Sequence, residues 1–119
     1  MRQPFAHQAE LVMDSDGDVR SPGGAITVAL CGQWDHQPPC PLAPHHTSAD
    51  RVGEVVRIRT LYAAEPERAD EVRRRIDDAL RGGSQRGPDG VLTRWSVLAS
   101  GNSPVLAEEH DHAERLTRS

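Results

Sequence analysis

The clearest pattern of apolar and polar positions along the chain is helical and covers residues 66–81. Apolar side chains recur there every three or four residues, which predicts an amphipathic helix with one buried stripe. Pro66 suits the first helical position, and the pair Gly82 and Gly83 marks the end. Acidic and arginine side chains four residues apart occupy the other positions, as is typical of a solvated helix face.

Alternating or continuously apolar runs predict strands at residues 8–13, 25–34, 53–62 and 91–99. The run at 53–62 alternates most regularly, with Arg57 and Arg59 on the polar side, so that strand is expected to have one wet face. Residues 35–50 contain four prolines and are expected to form a stiff loop. A second helix is expected to follow Ser103 and Pro104.

This order of elements predicts an α+β fold in a single domain, residues 1–119, with loose ends at about 1–7 and 117–119. The helix at 66–81 is long enough for a crossover, which would make the strands before and after it parallel. We therefore expect a two-layer α/β sandwich of ferredoxin-like type. Its helices would lie on one face of a mixed sheet of about four strands.

The charge balance argues against a nucleic-acid partner. The net charge is −4, all fourteen basic residues are Arg, and aromatic residues make up 3% of the chain. Neutralising phosphates needs a basic face, and binding single strands needs aromatic stacking platforms. The chain also contains no apolar run of membrane-spanning or signal-peptide length, so we expect a cytoplasmic protein with no membrane partner.

The side chains suited to chemistry gather in residues 31–46, with the spacing C-x4-H-x3-C-x4-H-H. They are Cys31, His36, Cys40, His45 and His46. Thiolates and imidazoles are the ligands of zinc and related transition metals, and the prolines between them would limit the entropy lost on coordination. The first three are the preferred ligands, and His45 or His46 would be the fourth. The spacing departs from the C-x2-C and H-x3-H patterns of common zinc sites.

Other interpretations of the same residues remain open. Cys31 suits a small buried apolar side chain, the two cysteines could pair in a disulfide, and a thiol could act in redox chemistry. His110 and His112 lie two apart on a predicted helix, so they cannot chelate one ion together. Arg57 and Arg59 suit an exposed sheet face, an anion-binding surface or an interface.

Three functions follow from these residues. The leading hypothesis is a small cytoplasmic metal-binding domain, holding zinc or a similar ion, with a structural or partner-recognition role. The second is a small enzyme that uses a thiol or a metal-bound water from residues 31–46. The third is a metal-free module that forms a homodimer through the open sheet face.

Overall fold

A computed structural model describes residues 1–31 and 43–118 of the chain, and these form an α+β fold. The strands are β1 Gln3–Met13, β2 His45–Val52, β3 Val55–Ala64, β4 Ser84–Arg86 and β5 Leu92–Ser103. The helices are α1 Ser21–Cys31, α2 Ala69–Arg81 and α3 His110–Thr117, and single 3₁₀ turns at Pro66–Arg68 and Ala107–Glu109 lead into α2 and α3. None of these helices is long and apolar enough to cross a membrane.

The strands form one sheet in the order β2-β3-β1-β5-β4. Each neighbouring pair is antiparallel, so the prediction of a mixed sheet is wrong, and the sheet has five strands where about four are expected. The strands predicted at 53–62 and 91–99, on either side of α2, are parallel as predicted, but they are not neighbours in the sheet. Because β3 and β5 both run antiparallel to β1, they run in the same direction with β1 between them.

Residues 21–31 form a helix, whereas the sequence pattern predicts a strand at 25–34, of which residues 32–34 lie outside the described residues. The β-branched residues Ile26 and Val28 favour a strand locally. However, all of residues 21–30 are buried or half-buried, so α1 has no solvated face and carries no polar stripe. Gly23 allows α1 to lie close to the sheet, because a Cβ there would be 3.2 Å from the Thr47 side chain.

Two segments expected to be irregular belong to strands. Strand β1 begins at Gln3, inside the residues 1–7 for which a loose end is expected, and its Ala6 and His7 are buried. Strand β2 occupies residues 45–52, which overlaps the predicted loop at 35–50. The cause is tertiary pairing: β2 is joined to β3 along its length, from His45 opposite Tyr62 to Val52 opposite Val55.

The core lies between the sheet and the two helices α1 and α2. Its largest fully buried side chains include Leu11 and Met13 of β1, Ile26 of α1 and Ile76 of α2. Helix α2, which the sequence predicts correctly, buries the apolar stripe Val72, Ile76 and Leu80 there. Helix α3 packs on β1 and β3 from the opposite face, so the prediction that the helices share one face is wrong for α3.

Candidate functional site

The predicted metal ligands are only partly within the described residues. Cys31 is the last residue of α1, where its backbone is described. His36 and Cys40 lie outside the described residues. His45 and His46 are the first two residues of β2. Successive residues of a strand point to opposite faces of the sheet, so these two imidazoles are directed away from each other.

His45 faces α1 and has both ring nitrogens in hydrogen bonds. Nδ1 is 3.1 Å from the backbone oxygen of Ala43, and Nε2 is 2.9 Å from Oγ1 of Thr27. A carbonyl oxygen only accepts hydrogen bonds, so Nδ1 of His45 carries the proton and Nε2 accepts from the Thr27 hydroxyl. A metal ion bound at Nε2 of His45 would have to displace that hydroxyl.

His46 faces the other side of the sheet and meets His112 of α3. The two ring centroids are 4.6 Å apart, and the ring planes are inclined by 52°. Partial burial, followed by the charge of His112, lowers the pKa of His46 below its ordinary value of 6.5. His46 is therefore mainly neutral at pH 7, which is the form that binds metal ions.

Arg59 holds α3 against the sheet and so positions His112. Its guanidinium binds both carboxylate oxygens of Glu109, with Nε to Oε2 at 2.6 Å and Nη2 to Oε1 at 2.7 Å. Three further hydrogen bonds run to Gln8 Oε1, Ser103 Oγ and the backbone oxygen of Pro104, at 2.7–2.9 Å. All five N–H groups of this arginine are thus used, although the sequence pattern suggests an exposed side chain.

The described residues contain no group of three or more His, Cys, Asp or Glu side chains placed to hold a metal ion. Glu109 lies near His112, but its two oxygens are committed to Arg59. The described arrangement therefore offers a pair of imidazoles, and further ligands would be water or side chains from outside the described residues. The sequence does not reveal that His112 meets His46, because the two lie far apart along the chain and the histidine nearest to His112 is His110.

An open cavity of ≈ 420 Å³ adjoins this end of β2. It lies between α1 and the strand and is lined by His45, His46 and Thr27, with Gly23 and Gly24 on the helix side. That volume is within the range of small-molecule sites, about 300–1,000 Å³. A small ligand therefore fits beside the imidazole of His45, whereas the imidazole of His46 faces the other side of the sheet.

The chain matches no known family model, and neither the curated proteins nor the solved structures include a significant match to it.

Proposed function

We propose that this protein binds a divalent transition-metal ion, zinc or a similar one, through His46 and His112. The observation that supports the proposal is the 4.6 Å separation of the two imidazole rings, which come from elements far apart in the chain. Two nitrogens bound to one ion at about 2.0–2.1 Å lie at most about 4.2 Å apart. The 4.6 Å between the two ring centroids is close to that separation.

A structural role suits this pair better than a catalytic one. An ion between His46 and His112 would tie α3 to β2, two elements joined to each other by few other contacts. Helices as short as the eight residues of α3 are not stable alone, so a tie of this kind would contribute directly to folding. His36 and Cys40 remain the proposed further ligands, since Cys40 precedes His46 by only six residues.

We also propose that the fold is ferredoxin-like. Leaving aside the three-residue β4, the chain order is strand, helix, strand, strand, helix, strand. The first strand lies inside the sheet, between the third and the last long strand, and the second lies at the edge. Fold alone does not assign an activity, so this proposal leaves the metal hypothesis to be tested by itself.

Calorimetric titration with zinc chloride tests the metal site, with the intact chain compared to His46→Ala, His112→Ala and His110→Ala variants. We expect the first two substitutions to weaken zinc binding by at least about tenfold, since even partners outside a coordination shell cost about 10–100-fold. His110 is exposed on the same helix, so His110→Ala is the matched control and should bind as the intact chain does.

Two results would contradict the proposal. One is the absence of saturable zinc binding by the intact chain. The other is equal affinity in the intact chain and in both His46→Ala and His112→Ala. A Cys31→Ala, Cys40→Ala double variant completes the series: loss of zinc there, with both histidine variants unaffected, would place the ion among residues 31–40 and away from this pair.

A further inference from the structure

A second polar cluster lies on the other face of the sheet, between α2 and the second half of β5. An open cavity of ≈ 290 Å³ is lined there by His7 of β1, Ser100 of β5 and Asp77 of α2. Oγ of Ser100 is 2.6 Å from Oδ1 of Asp77 and 3.2 Å from Nε2 of His7. The three side chains thus form a continuous hydrogen-bonded row with the hydroxyl in the middle.

The direction of these hydrogen bonds follows from the ionised state of the Asp77 carboxyl group. Burial disfavours its charge, but hydrogen bonds from Ser100 and Arg81 outweigh that effect, and the pKa of Asp77 lies below its ordinary value of 3.8. An ionised carboxylate only accepts, so the Ser100 hydroxyl donates to Asp77 and its oxygen accepts from Nε2–H of His7. Nδ1 of His7 is then left as an acceptor.

That acceptor is costly to the fold. His7 is 1% exposed, and its Nδ1 has no hydrogen-bond partner among the described residues. Burial lowers the pKa of His7, which keeps the ring neutral, yet an unsatisfied buried nitrogen still destabilises the folded state. An apolar side chain at this inward position of β1 would avoid that cost, so stability does not explain the histidine.

The rim of the cavity is positively charged in a protein whose net charge is −4. Arg73, Arg74 and Arg81 line it together with the single carboxylate of Asp77. Arg81 is paired with Asp77 at 2.9 Å and Arg73 with Asp70 at 2.6 Å. Arg74 has no ion pair with any of the described residues, so its charge is available to a bound group.

We infer that this cavity binds a small oxyanion, a carboxylate or a phosphate, with Arg74 as its main cationic contact. Both oxygens of Asp77 are occupied, one by the Ser100 hydroxyl and one by Arg81, so the His7–Ser100–Asp77 row lines the cavity without donating to the anion. Guanidinium groups match the two oxygens of such anions. The cavity volume of ≈ 290 Å³ is at the lower end for ligand sites, so we expect a small ligand. The residues involved are distinct from His46 and His112, so this inference does not depend on the metal proposal.

Titrations followed by ¹H–¹⁵N NMR test the inference, with inorganic phosphate and lactate used as separate probes at constant ionic strength. We expect saturable shifts of the Gly101 and Asn102 amides, with a Kd on the order of 1 mM. Arg74→Gln should weaken binding by about tenfold, the equivalent of one charge-assisted hydrogen bond. Arg75→Gln is the matched control. Arg75 does not line the cavity but pairs with Glu71 and donates to the backbone oxygen of Ala29 in α1, so this variant should bind like the intact chain.

Each outcome is decisive. Saturation by lactate alone assigns a carboxylate ligand, saturation by phosphate alone assigns a phosphoryl ligand, and saturation by both supports a general oxyanion site. No saturable shift with either probe overturns the inference, and so does an affinity that Arg74→Gln leaves unchanged. Arg74 is exposed, so its substitution leaves the core intact. His112→Ala should bind the anion normally, which separates this test from that of the metal site.

Discussion

Substitution of Arg59 by Met tests how α3 is held to the sheet. Arg59 and Glu109 are 16% and 17% exposed and form a two-pronged ion pair. Breaking a buried pair by removing one partner costs about 3–5 kcal/mol, because the other charge stays behind unpaired. Glu109 can turn partly toward water once Arg59 is gone, so we expect Arg59→Met to lower the free energy of unfolding by about 2–4 kcal/mol.

Arg57→Met is the matched control on the same strand and the same face. Arg57 lies 3.8 Å from Glu10, and their side chains are 60% and 40% exposed, so this pair is worth about 0–1 kcal/mol. Urea unfolding followed by circular dichroism gives both values. If Arg59→Met cost no more than Arg57→Met, the conclusion that the Arg59 cluster anchors α3 would be refuted.

The same ion pair predicts a pH dependence with a definite sign. The hydrogen bond from Arg59 lowers the pKa of Glu109 below its ordinary value of 4.5. A carboxyl group whose pKa is lower in the folded state contributes stability above its ordinary pKa and loses it as the pH falls through the folded value. The stability difference between the intact chain and Arg59→Met should therefore be full at pH 6–7 and should narrow below pH 4.5.

Two further substitutions test local features of the fold. His7→Leu removes the unsatisfied Nδ1, which should stabilise the fold by about 1–3 kcal/mol, and removes one hydrogen bond to Ser100, which should cost about 0.5–1.5 kcal/mol. Urea unfolding should therefore show equal or higher stability for the variant. A loss of stability above about 1 kcal/mol would mean that a buried water satisfies Nδ1. Gly83→Ala combines a positive φ of 75° with a Cβ placed 3.1 Å from the backbone oxygen of Trp95, whereas Gly90→Ala has a φ of 84° and no close contact. Thermal unfolding should show a loss of stability of about 2 kcal/mol for Gly83→Ala and about 1 kcal/mol for Gly90→Ala. Equal losses would contradict the close approach at Gly83.

The elements that the sequence predicts correctly are those whose burial leaves one face in water. Helix α2 has a buried stripe and a charged face, and β3 alternates between Val56 or Ile58 and the arginines between them. In such elements the local order of apolar and polar residues shows which face is buried. Helix α1 lacks an exposed face, so its sequence has no period to detect, and the β-branched Ile26 and Val28 outweigh the rest.

The candidate site was predictable only in its residue types. His46 belongs to the set of expected metal ligands, but its partner His112 is 66 positions away and meets it because α3 folds back over the outer face. Arg59 holds the chain there through Glu109, and the alternating pattern of β3 shows only that Arg59 points away from the core. Contacts between elements depend on the topology, which the spacing of ligands along a chain does not contain.

The sheet separates the two proposed sites, and β1 shows how. His7 points into the cavity beneath α2, while the next residue, Gln8, points to the outer face and accepts a hydrogen bond from Arg59 at 2.9 Å. Arg59→Met should therefore reduce zinc binding, by releasing α3 and His112, and leave oxyanion binding at Arg74 unchanged. Arg74→Gln should have the reverse pattern. Loss of both activities in either variant would indicate global unfolding, because the two groups of residues share no side chain.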